Sequence, residues 1–329
     1  MTDSTNEVNG GNWFHQAYHP IGFWSIGLGH RTYLGDETHI RDKSRRVCRF
    51  CGQTTPAVTF NKEAHVAPQL LAARNLLSVY ECDVCNENFG IGIENDLGIW
   101  TKPHRAVLRV PGQKGVPTII GMGPDPWRIE GSGTTLKVNA RRDAMPYEVD
   151  EENHLIIMEI LRDPYTPAGV MKAFVRIGLT LMPDDELVNF SKLMAWIQNP
   201  NHKAAHIGTW SWIYETTFPG PMPNDRVRAG LFRRKSEEGL YPYMFLMLAY
   251  GNHAYQVPLF SVERDAHLDE KRFEVPLYPL TSSADRAAFG HPTETLIDLT
   301  GTEVIQGETV KIKLSYDARE EVTDVNPVV

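Results

Sequence analysis

The sequence predicts an α+β protein in which a small cysteine-rich module precedes a larger mixed domain with antiparallel strands and two helices. Three observations support this prediction. All 4 cysteines fall between residues 48 and 85, two later stretches have the apolar period of a helix, and several short runs have the composition of strands. We divide the 329 residues into an N-terminal extension (1–40), the cysteine module (41–100) and the larger domain (101–329).

The composition excludes several classes of protein. Hydrophobic residues make up 42% and charged residues 22% of the chain, which rules out collagen, coiled coil and wholesale disorder. The apolar run Tyr243 to Tyr250 is far shorter than the roughly 20 residues that span a bilayer. Residues 1–12 are polar, and this composition predicts that they are disordered. They show no secretory signal. We therefore expect a cytoplasmic protein with no membrane partner.

The charge is unevenly distributed along the chain. The net charge is −8, and the excess of acidic residues follows residue 110. This acidity disfavours nucleic-acid binding by the larger domain and favours a regulatory or partner-binding role for it. Residues 41–49 are rich in Arg and Lys. This run is typical either of a phosphate-binding patch or of a solvated loop.

The cysteines form two C-x-x-C pairs, Cys48 with Cys51 and Cys82 with Cys85. Two thiolates three residues apart on a tight turn can both bind one metal ion, and two such pairs complete a tetrahedral shell. Gly52 suits the turn after the first pair. Disulfides are disfavoured because a reducing compartment is expected. The pattern predicts a structural zinc ion with four cysteine ligands and no open position.

The larger domain has recognisable helix and strand signals. We predict a linker with one short strand over residues 101–126, which are rich in Pro and Gly. Thr166–Pro167 should begin a helix over 168–181, and a second helix should follow Met182–Pro183 and end at Asn199–Pro200. Strands are predicted at Thr134–Asn139, His154–Leu161, Val227–Lys235, Tyr243–Tyr250, Ala254–Ser261, Leu296–Leu299 and Thr309–Ser315.

The segment around the second cysteine pair carries the functional pattern. His65 precedes Pro68 by three residues, Asn75 follows, and Asn86 comes directly after the second pair. In these positions the sequence resembles the HNH endonucleases of the ββα-metal type, in their zinc-stabilised form, over roughly residues 44–98. The resemblance implies two strands, a helix and a site that hydrolyses phosphodiesters.

The residues of this segment are consistent with that fold. Val58–Val66 can form a strand that ends before Pro68, and Leu76–Tyr80 can return antiparallel to it. A helix beginning at Cys85–Asn86 would continue through Leu97. A hairpin and helix of this size need the metal ion to be stable.

The site residues have distinct expected roles. His65 is the natural general base, because imidazole titrates near neutral pH. Asn86 offers a hard oxygen ligand for a catalytic Mg²⁺ or Mn²⁺ ion, as the matching family residue does. Asn75 matches the family residue that orients the histidine or supports its loop.

The acidic metal ligand is an open question in the sequence. Many HNH members have an acid directly before the catalytic histidine, but here Ala64 occupies that position and Glu63 lies one residue further back. Residues two apart in a strand share a face, so Glu63 can converge with His65. The alternatives are Glu94, Glu81 and Asp83.

The sequence therefore predicts a metal-dependent endonuclease that cuts DNA, although it does not separate DNA from RNA. By analogy, bacterial proteins that join an HNH module to an accessory domain are often anti-phage effectors. Two alternatives remain. In the first, the chain is a nuclease subunit that is inactive alone and is activated by a small nucleotide or a partner protein. In the second, it is a catalytically inactive, zinc-dependent protein that binds nucleic acid or acts as a scaffold. Homo-oligomerisation is left open.

Overall fold

We analysed a computed structural model of the chain. It confirms the α+β class, with helices and largely antiparallel sheets. The predicted disorder of residues 1–12 lies outside the part that the structure describes. The described residues are 13–121, 126–141, 143, 145–203, 211–268, 277–280 and 282–318.

Eight helices are defined within the described residues, and none of them is both long and apolar enough to cross a bilayer. Short 3-10 turns precede or extend several of them. In chain order the helices are α1 (Glu37–Arg41), α2 (Asp83–Ile91), α3 (Ile93–Val107), α4 (Pro167–Leu181), α5 (Asp184–Leu187), α6 (Ser191–Gln198), α7 (Val262–Asp265) and α8 (Ser283–Phe289).

The strands are mostly short, and several match the predicted positions closely. In chain order they are β1 (Tyr18–Gly27), β2 (Thr32–Leu34), β3 (Ala64–His65), β4 (Leu76–Ser78), β5 (Ile119–Gly121), β6 (Trp127–Ser132), β7 (Thr135–Asn139), β8 (Tyr147–Asp150), β9 (Leu155–Leu161), β10 (Trp212–Thr217), β11 (Arg226–Arg234), β12 (Met244–Tyr250), β13 (His253–Leu259), β14 (Thr293–Asp298) and β15 (Thr309–Ser315).

These strands form four sheets. The largest has the order β1-β11-β12-β13-β10-β14 and is antiparallel throughout. Two three-stranded antiparallel sheets have the orders β15-β9-β8 and β5-β6-β7. The fourth, β2-β4-β3, belongs to the cysteine module and pairs β2 parallel and β3 antiparallel to the central β4.

Helix α4 lies at the centre of the molecule. All 15 of its residues are buried, as expected for a helix that is apolar almost all the way round. It packs against α3 and against strands β12 and β13 of the large sheet. A single apolar core includes Cys48 and Phe89 of the module, Phe174 of α4 and Leu246 of β12. The module and the large sheet therefore share one interior.

The start of α4 shows how closely it joins α3. Thr166 is its N-cap residue and Pro167 its first residue, as predicted, but the Thr166 side chain makes no capping bond. Instead Asp96 of α3 accepts a hydrogen bond of 3.0 Å from the Thr166 amide. A Cβ on Gly169 would lie 2.0 Å from the Asp96 carboxylate. Glycine at that position is therefore what allows the two helices to approach so closely.

The predicted boundaries need correction. The boundary at residue 100 falls inside α3, so residues 101–107 are helical and not part of a linker, although the short strand expected in that stretch is present as β5. The predicted extension 1–40 contains β1, which pairs with β11 along the edge of the large sheet. Its β2 pairs with β4 of the module. These pairings join the extension, the module and the larger domain.

Three predicted elements differ in length. The strand expected over Val58–Val66 is limited to β3, because Asp83 accepts hydrogen bonds from the hydroxyl of Thr59 and from two backbone amides further along and holds that segment out of a strand. The helix expected to run through Leu97 breaks at Gly92, whose backbone is not helical. The second helix of the larger domain is divided into α5, a 3-10 turn and α6.

Candidate active site

The four cysteines lie together. Their sulfur atoms are all within 4.8 Å of one another, and the Sγ atoms of Cys51 and Cys82 are 3.8 Å apart. A tetrahedral zinc ion with Zn–S bonds of about 2.3 Å needs sulfur atoms about 3.8 Å apart. All four residues are free thiols, not disulfides. The cluster can therefore bind a metal such as zinc.

The local backbone positions the four sulfur atoms close together. Gly52 has a φ of +70° and its amide donates to the Cys48 carbonyl, which makes the tight turn after the first pair. Cys82 is the N-cap of α2, so Cys85 lies in the first turn of that helix. The Cys82 amide also donates to Cys48 Sγ over 3.5 Å. Amide hydrogen bonds of this kind stabilise a metal-bound thiolate.

The electrostatics of the cluster favour a cation. A hydrogen bond from Cys85 lowers the pKa of Cys48 to about 4, whereas burial raises the pKa of Cys82 to about 11. One thiolate is thus stabilised by neighbouring thiols, while further thiolates repel one another in a buried site. A divalent cation removes that repulsion and allows all four sulfurs to ionise.

Around the cluster, two strands and a helix form the expected arrangement. His65 in β3 pairs with Leu77 in β4, and α2 begins within the second cysteine pair, directly after Cys82. Ala64 is buried, with 2% of its surface exposed. Because side chains alternate along a strand, His65 points to the opposite face, away from this core.

That face opens into a cleft of about 980 Å³. Four predicted or alternative site residues of the sequence analysis line it: Glu63, His65, Asn86 and Glu94. Residues 112–118 and further residues of α3 also line it. The spacing argument that Glu63 shares a face with His65 is consistent with this placement. Predicted catalytic and metal-binding side chains from a strand and two helices thus meet in one cavity.

The imidazole of His65 is held in a distinctive environment. Burial lowers its pKa, and the nearby Glu63 carboxylate partly opposes that shift. Its Nδ1 atom is enclosed and has no hydrogen-bond partner among the residues described. Nε2 is therefore the ring nitrogen available to the cleft. A neutral imidazole with a free nitrogen facing a cavity is what a general base requires.

Behind His65 lies Arg176 of α4, which the sequence analysis did not identify. Its guanidinium donates to the carbonyls of His65 (2.8 Å) and Val66 (3.0 Å) and pairs with Glu81 at 2.6 Å. Burial alone would lower the pKa of Arg176, but the carboxylates of Glu81 and Glu94 raise it overall. The charged guanidinium fixes the strand that carries His65. No local sequence signal marks these contacts, because Arg176 is 95 residues or more from each partner.

The candidate acidic ligands differ in availability. Glu63 is exposed and pairs with Arg31. Glu94 lies 3.3 Å from Arg176, and its pKa is raised by burial. Glu81 is fully enclosed against Arg176 and does not line the cleft. Asp83, as described above, holds the loop before β3. Only Glu63 and Glu94, of these four, can reach a cation in the cleft.

Asn75 lies outside the cleft lining. Its side-chain oxygen accepts from the Gly27 amide at 2.8 Å, and its own amide donates to the Gly27 carbonyl at 3.0 Å. Its carbonyl accepts from the Thr32 amide at 2.6 Å. These contacts join the loop before β4 to the end of β1 and to β2. Of the two predicted roles, support of the loop is the one that the contacts match.

Basic side chains surround part of the cleft. Lys102 of α3 pairs with Asp163 at 2.7 Å, and both line the cavity. Arg105 also lines it, although its three nitrogens are bonded to groups of the surrounding backbone and to Thr101. Lys114 is exposed on the 112–118 loop. A polyanion that entered the cleft would meet these basic side chains.

Most of the basic side chains at residues 41–49 make contacts within the protein. The side chain of Arg49, only 6% exposed, donates to three carbonyls at the C-terminal end of α4 and pairs with Asp184. Arg41 and Arg45 pair with acids on the same stretch, and Arg46 bonds to two nearby carbonyls. Much of this charge therefore stabilises the protein's own backbone.

We compared the chain with family models, with curated proteins and with solved structures, and none of the three comparisons found a match. A function for this chain is therefore inferred from its residues and their geometry.

Proposed function

We propose that this protein is a metal-dependent endonuclease of the HNH type that hydrolyses phosphodiester bonds in DNA. One observation carries the proposal. A neutral imidazole, His65, and oxygen donors from Asn86, Glu63 and Glu94 line the same cleft, on and beside one strand and two helices next to a four-cysteine cluster. This is the residue set that metal-assisted hydrolysis of a phosphodiester needs.

The residues present fit a catalytic Mg²⁺ or Mn²⁺ ion. Both ions prefer oxygen ligands, and this wall of the cleft offers the amide oxygen of Asn86 with the carboxylates of Glu63 and Glu94. When bound, the cation stabilises the negative charge that develops on the phosphate. His65 Nε2 takes a proton from water as the water oxygen bonds to phosphorus, and the bond from phosphorus to the leaving oxygen breaks. The basic side chains that line the cleft, of which Lys114 is exposed, favour a polyanionic substrate.

A plasmid-nicking assay tests this proposal. Wild type and His65→Ala are compared with supercoiled DNA in the presence of Mg²⁺ or Mn²⁺, and His19→Ala, an exposed histidine on β1, is the control. Removing a general base should slow cleavage about 100-fold or more, whereas His19→Ala should cut like wild type. Equal metal-dependent cleavage by wild type and His65→Ala would refute the role of His65. RNA and DNA substrates offered in parallel separate the two nucleic acids.

A gated nuclease is a second candidate, favoured by the contacts of α4. Arg176 fixes the His65 strand, and Arg49 joins the cysteine module to the end of the same helix. A ligand or partner protein that shifted α4 would therefore move the catalytic strand. Cleavage that appears only after a small nucleotide or cell extract is added, and that is lost in His65→Ala, would support this candidate.

An inactive scaffold is favoured by a different observation. Ala64 replaces the acid that many HNH members have, and both candidate acidic ligands in the cleft are paired with arginines, Glu63 with Arg31 and Glu94 with Arg176. DNA binding without cleavage by wild type under all conditions would support the scaffold. Metal-dependent cleavage that needs His65 would eliminate it.

The proposal places the enzyme in the cytoplasm, where the four free thiols remain reduced and able to bind zinc. A role in antiviral defence rests on the analogy with other HNH proteins, and nothing in the described residues adds to it.

A further inference from the structure

A second group of potential metal ligands lies away from the cleft. His104 of α3, Glu215 of β10 and His253 of β13 have ligand atoms that are all within 4.8 Å of one another. None of the three lines the cleft described above. His253 is buried, and the other two are partly buried. The cluster therefore forms where α3 packs over the large sheet.

The sheet register explains how two of these residues meet. Glu215 is directly opposite Tyr255, and Thr217 is directly opposite His253. Glu215 and His253 are therefore diagonal neighbours on the same face of the two strands. His253 Nδ1 lies 2.9 Å from Glu215 Oε1. From α3, the ring of His104 lies over this pair, with its centroid 4.3 Å from that of His253.

A hydrogen bond explains the contact between His253 and Glu215 but leaves His104 unexplained. Among the described residues the His104 imidazole has a ring contact and no hydrogen-bond partner. Two histidine rings tilted at 43° to each other beside a carboxylate, with the His104 ring unbonded, are accounted for if a cation lies between the three groups.

The surroundings have the features of a metal site. The Tyr255 hydroxyl donates to Glu215 Oε1 at 2.8 Å, and the Tyr250 and Tyr255 hydroxyls are 3.2 Å apart. Hydrogen bonds of this kind orient a ligating carboxylate. Two imidazoles and one carboxylate form a donor set that binds Zn²⁺ or another first-row divalent transition metal, and not Mg²⁺ or Ca²⁺.

We propose that His104, Glu215 and His253 bind one divalent transition-metal ion, with Zn²⁺ as the probe ion, in addition to the metal of the cysteine cluster. Three protein ligands leave a coordination position for water. The ion would join α3, whose other side lines the cleft, to strands β10 and β13. This proposal is independent of the proposed nuclease activity, because none of its residues belongs to the cleft.

Metal content tests the proposal on the full chain. All proteins carry His65→Ala, which removes zinc binding through the cleft histidine. They are loaded with Zn²⁺, dialysed and analysed for zinc per chain. We expect about two ions per chain in the parent, about one in His253→Ala and in Glu215→Gln, and about two in the His19→Ala control. Cobalt substitution adds a second measurement, because the thiolate-to-cobalt charge-transfer band should persist in both triad variants while part of the ligand-field absorption is lost.

Equal zinc content in the parent and in both triad variants would overturn the proposal, and would mean that the three residues form a hydrogen-bonded network only. If a variant fails to fold, X-ray absorption of the zinc-loaded parent decides without a substitution at the triad. A mixed shell of sulfur and nitrogen or oxygen supports the second site, whereas a shell of sulfur alone overturns it.

Discussion

Replacement of Arg176 by methionine is the perturbation that bears most directly on how α4 stabilises the candidate active site. The substitution keeps an unbranched side chain of similar length but removes the guanidinium. The Glu81 carboxylate, 2.6 Å from that guanidinium and 0% exposed, would lose its charged partner. The carbonyls of His65 and Val66 would lose a donor.

The structure allows the size of the effect to be bounded. Removing one partner of a buried ion pair costs about 3–5 kcal/mol, and each buried carbonyl left unpaired costs about 1–3 kcal/mol. These contributions overlap, because the groups share one donor. We expect the free energy of unfolding to fall by about 4–7 kcal/mol at pH 7, which is a large fraction of the 5–15 kcal/mol that is usual for a domain.

The loss should depend on pH in a defined direction. Burial raises the pKa of Glu81, and Arg176 opposes that rise, so the pKa in the folded variant lies even further above the unfolded value of about 4.3. A protonated carboxyl is tolerated when buried, so the variant should regain stability as the pH falls from 7 towards 4.3. The gain is at most about 1.4 kcal/mol per pH unit.

Urea unfolding of wild type and variants between pH 5 and pH 8 measures this effect. Lys172→Met is the matched control, because Lys172 is fully buried one turn earlier on α4 and donates to the Asn199 carbonyl without contacting a buried acid. It should cost less than about 3 kcal/mol and show no recovery at acidic pH. The double variant with Glu81→Met should recover much of the lost stability, because an apolar pair can replace a buried ion pair.

The reasoning would be refuted by an Arg176→Met protein that unfolds within about 1 kcal/mol of wild type at pH 7 and has the same pH dependence. Such a result would mean that the guanidinium neither neutralises Glu81 nor holds the His65 strand. A stable variant that also kept full nuclease activity would remove α4 from the account of how the site is positioned.

Three further predictions follow from the same contacts. Cys48→Ser or Cys82→Ser should abolish zinc binding and unfold the chain, because structural zinc contributes roughly 10–16 kcal/mol to the free energy of folding. Circular dichroism and zinc analysis measure this effect. A variant that stays folded and binds zinc would contradict the ligand assignment. The midpoint of the acidic limb of the pH–rate profile should lie below the usual histidine pKa of about 6.5, because burial lowers the pKa of His65. Glu63→Gln should move that midpoint to still lower pH, because it removes the charge that opposes the shift. A midpoint that moved to higher pH would be inconsistent with this electrostatic account. Asn75→Ala should lower the free energy of unfolding by about 1–3 kcal/mol with the pH–rate profile unchanged, and a displaced profile would instead indicate direct contact with the reaction.

Short-range spacing was the most informative part of the sequence. The two C-x-x-C pairs predicted a metal-binding cluster, and the four sulfurs do converge. The antiparallel pairing of β3 with β4 and a helix at the second pair are also present, because they are formed by residues close in sequence, but their bounds differ from those predicted. The catalytic roles of His65 and Asn86 stay predictions, although the two residues do line one cleft.

Long-range contacts were beyond what the sequence could show. Arg176 has no local signature, since a lone arginine in an apolar helix identifies neither His65 nor Glu81 as its partner. The predicted boundary at residue 100 is wrong for a similar reason. The Pro- and Gly-rich composition of residues 101–126 predicts a linker, but the first of these residues complete α3, and the apolar core is continuous across the boundary. Glu215 and His253 meet only through the register of β10 with β13, and His104 reaches them from α3.

The position of α4 along the chain has a consequence for biosynthesis. A ribosome releases the cysteine module well before it completes α4 and before it reaches the strands that enclose that helix. Until then the His65 strand lacks the guanidinium that holds it, and an apolar surface meant for α4 faces water. A nascent or truncated chain that ends before α4 would therefore lack the guanidinium that holds the His65 strand, so the site proposed here for cleavage is complete only after α4 has been made.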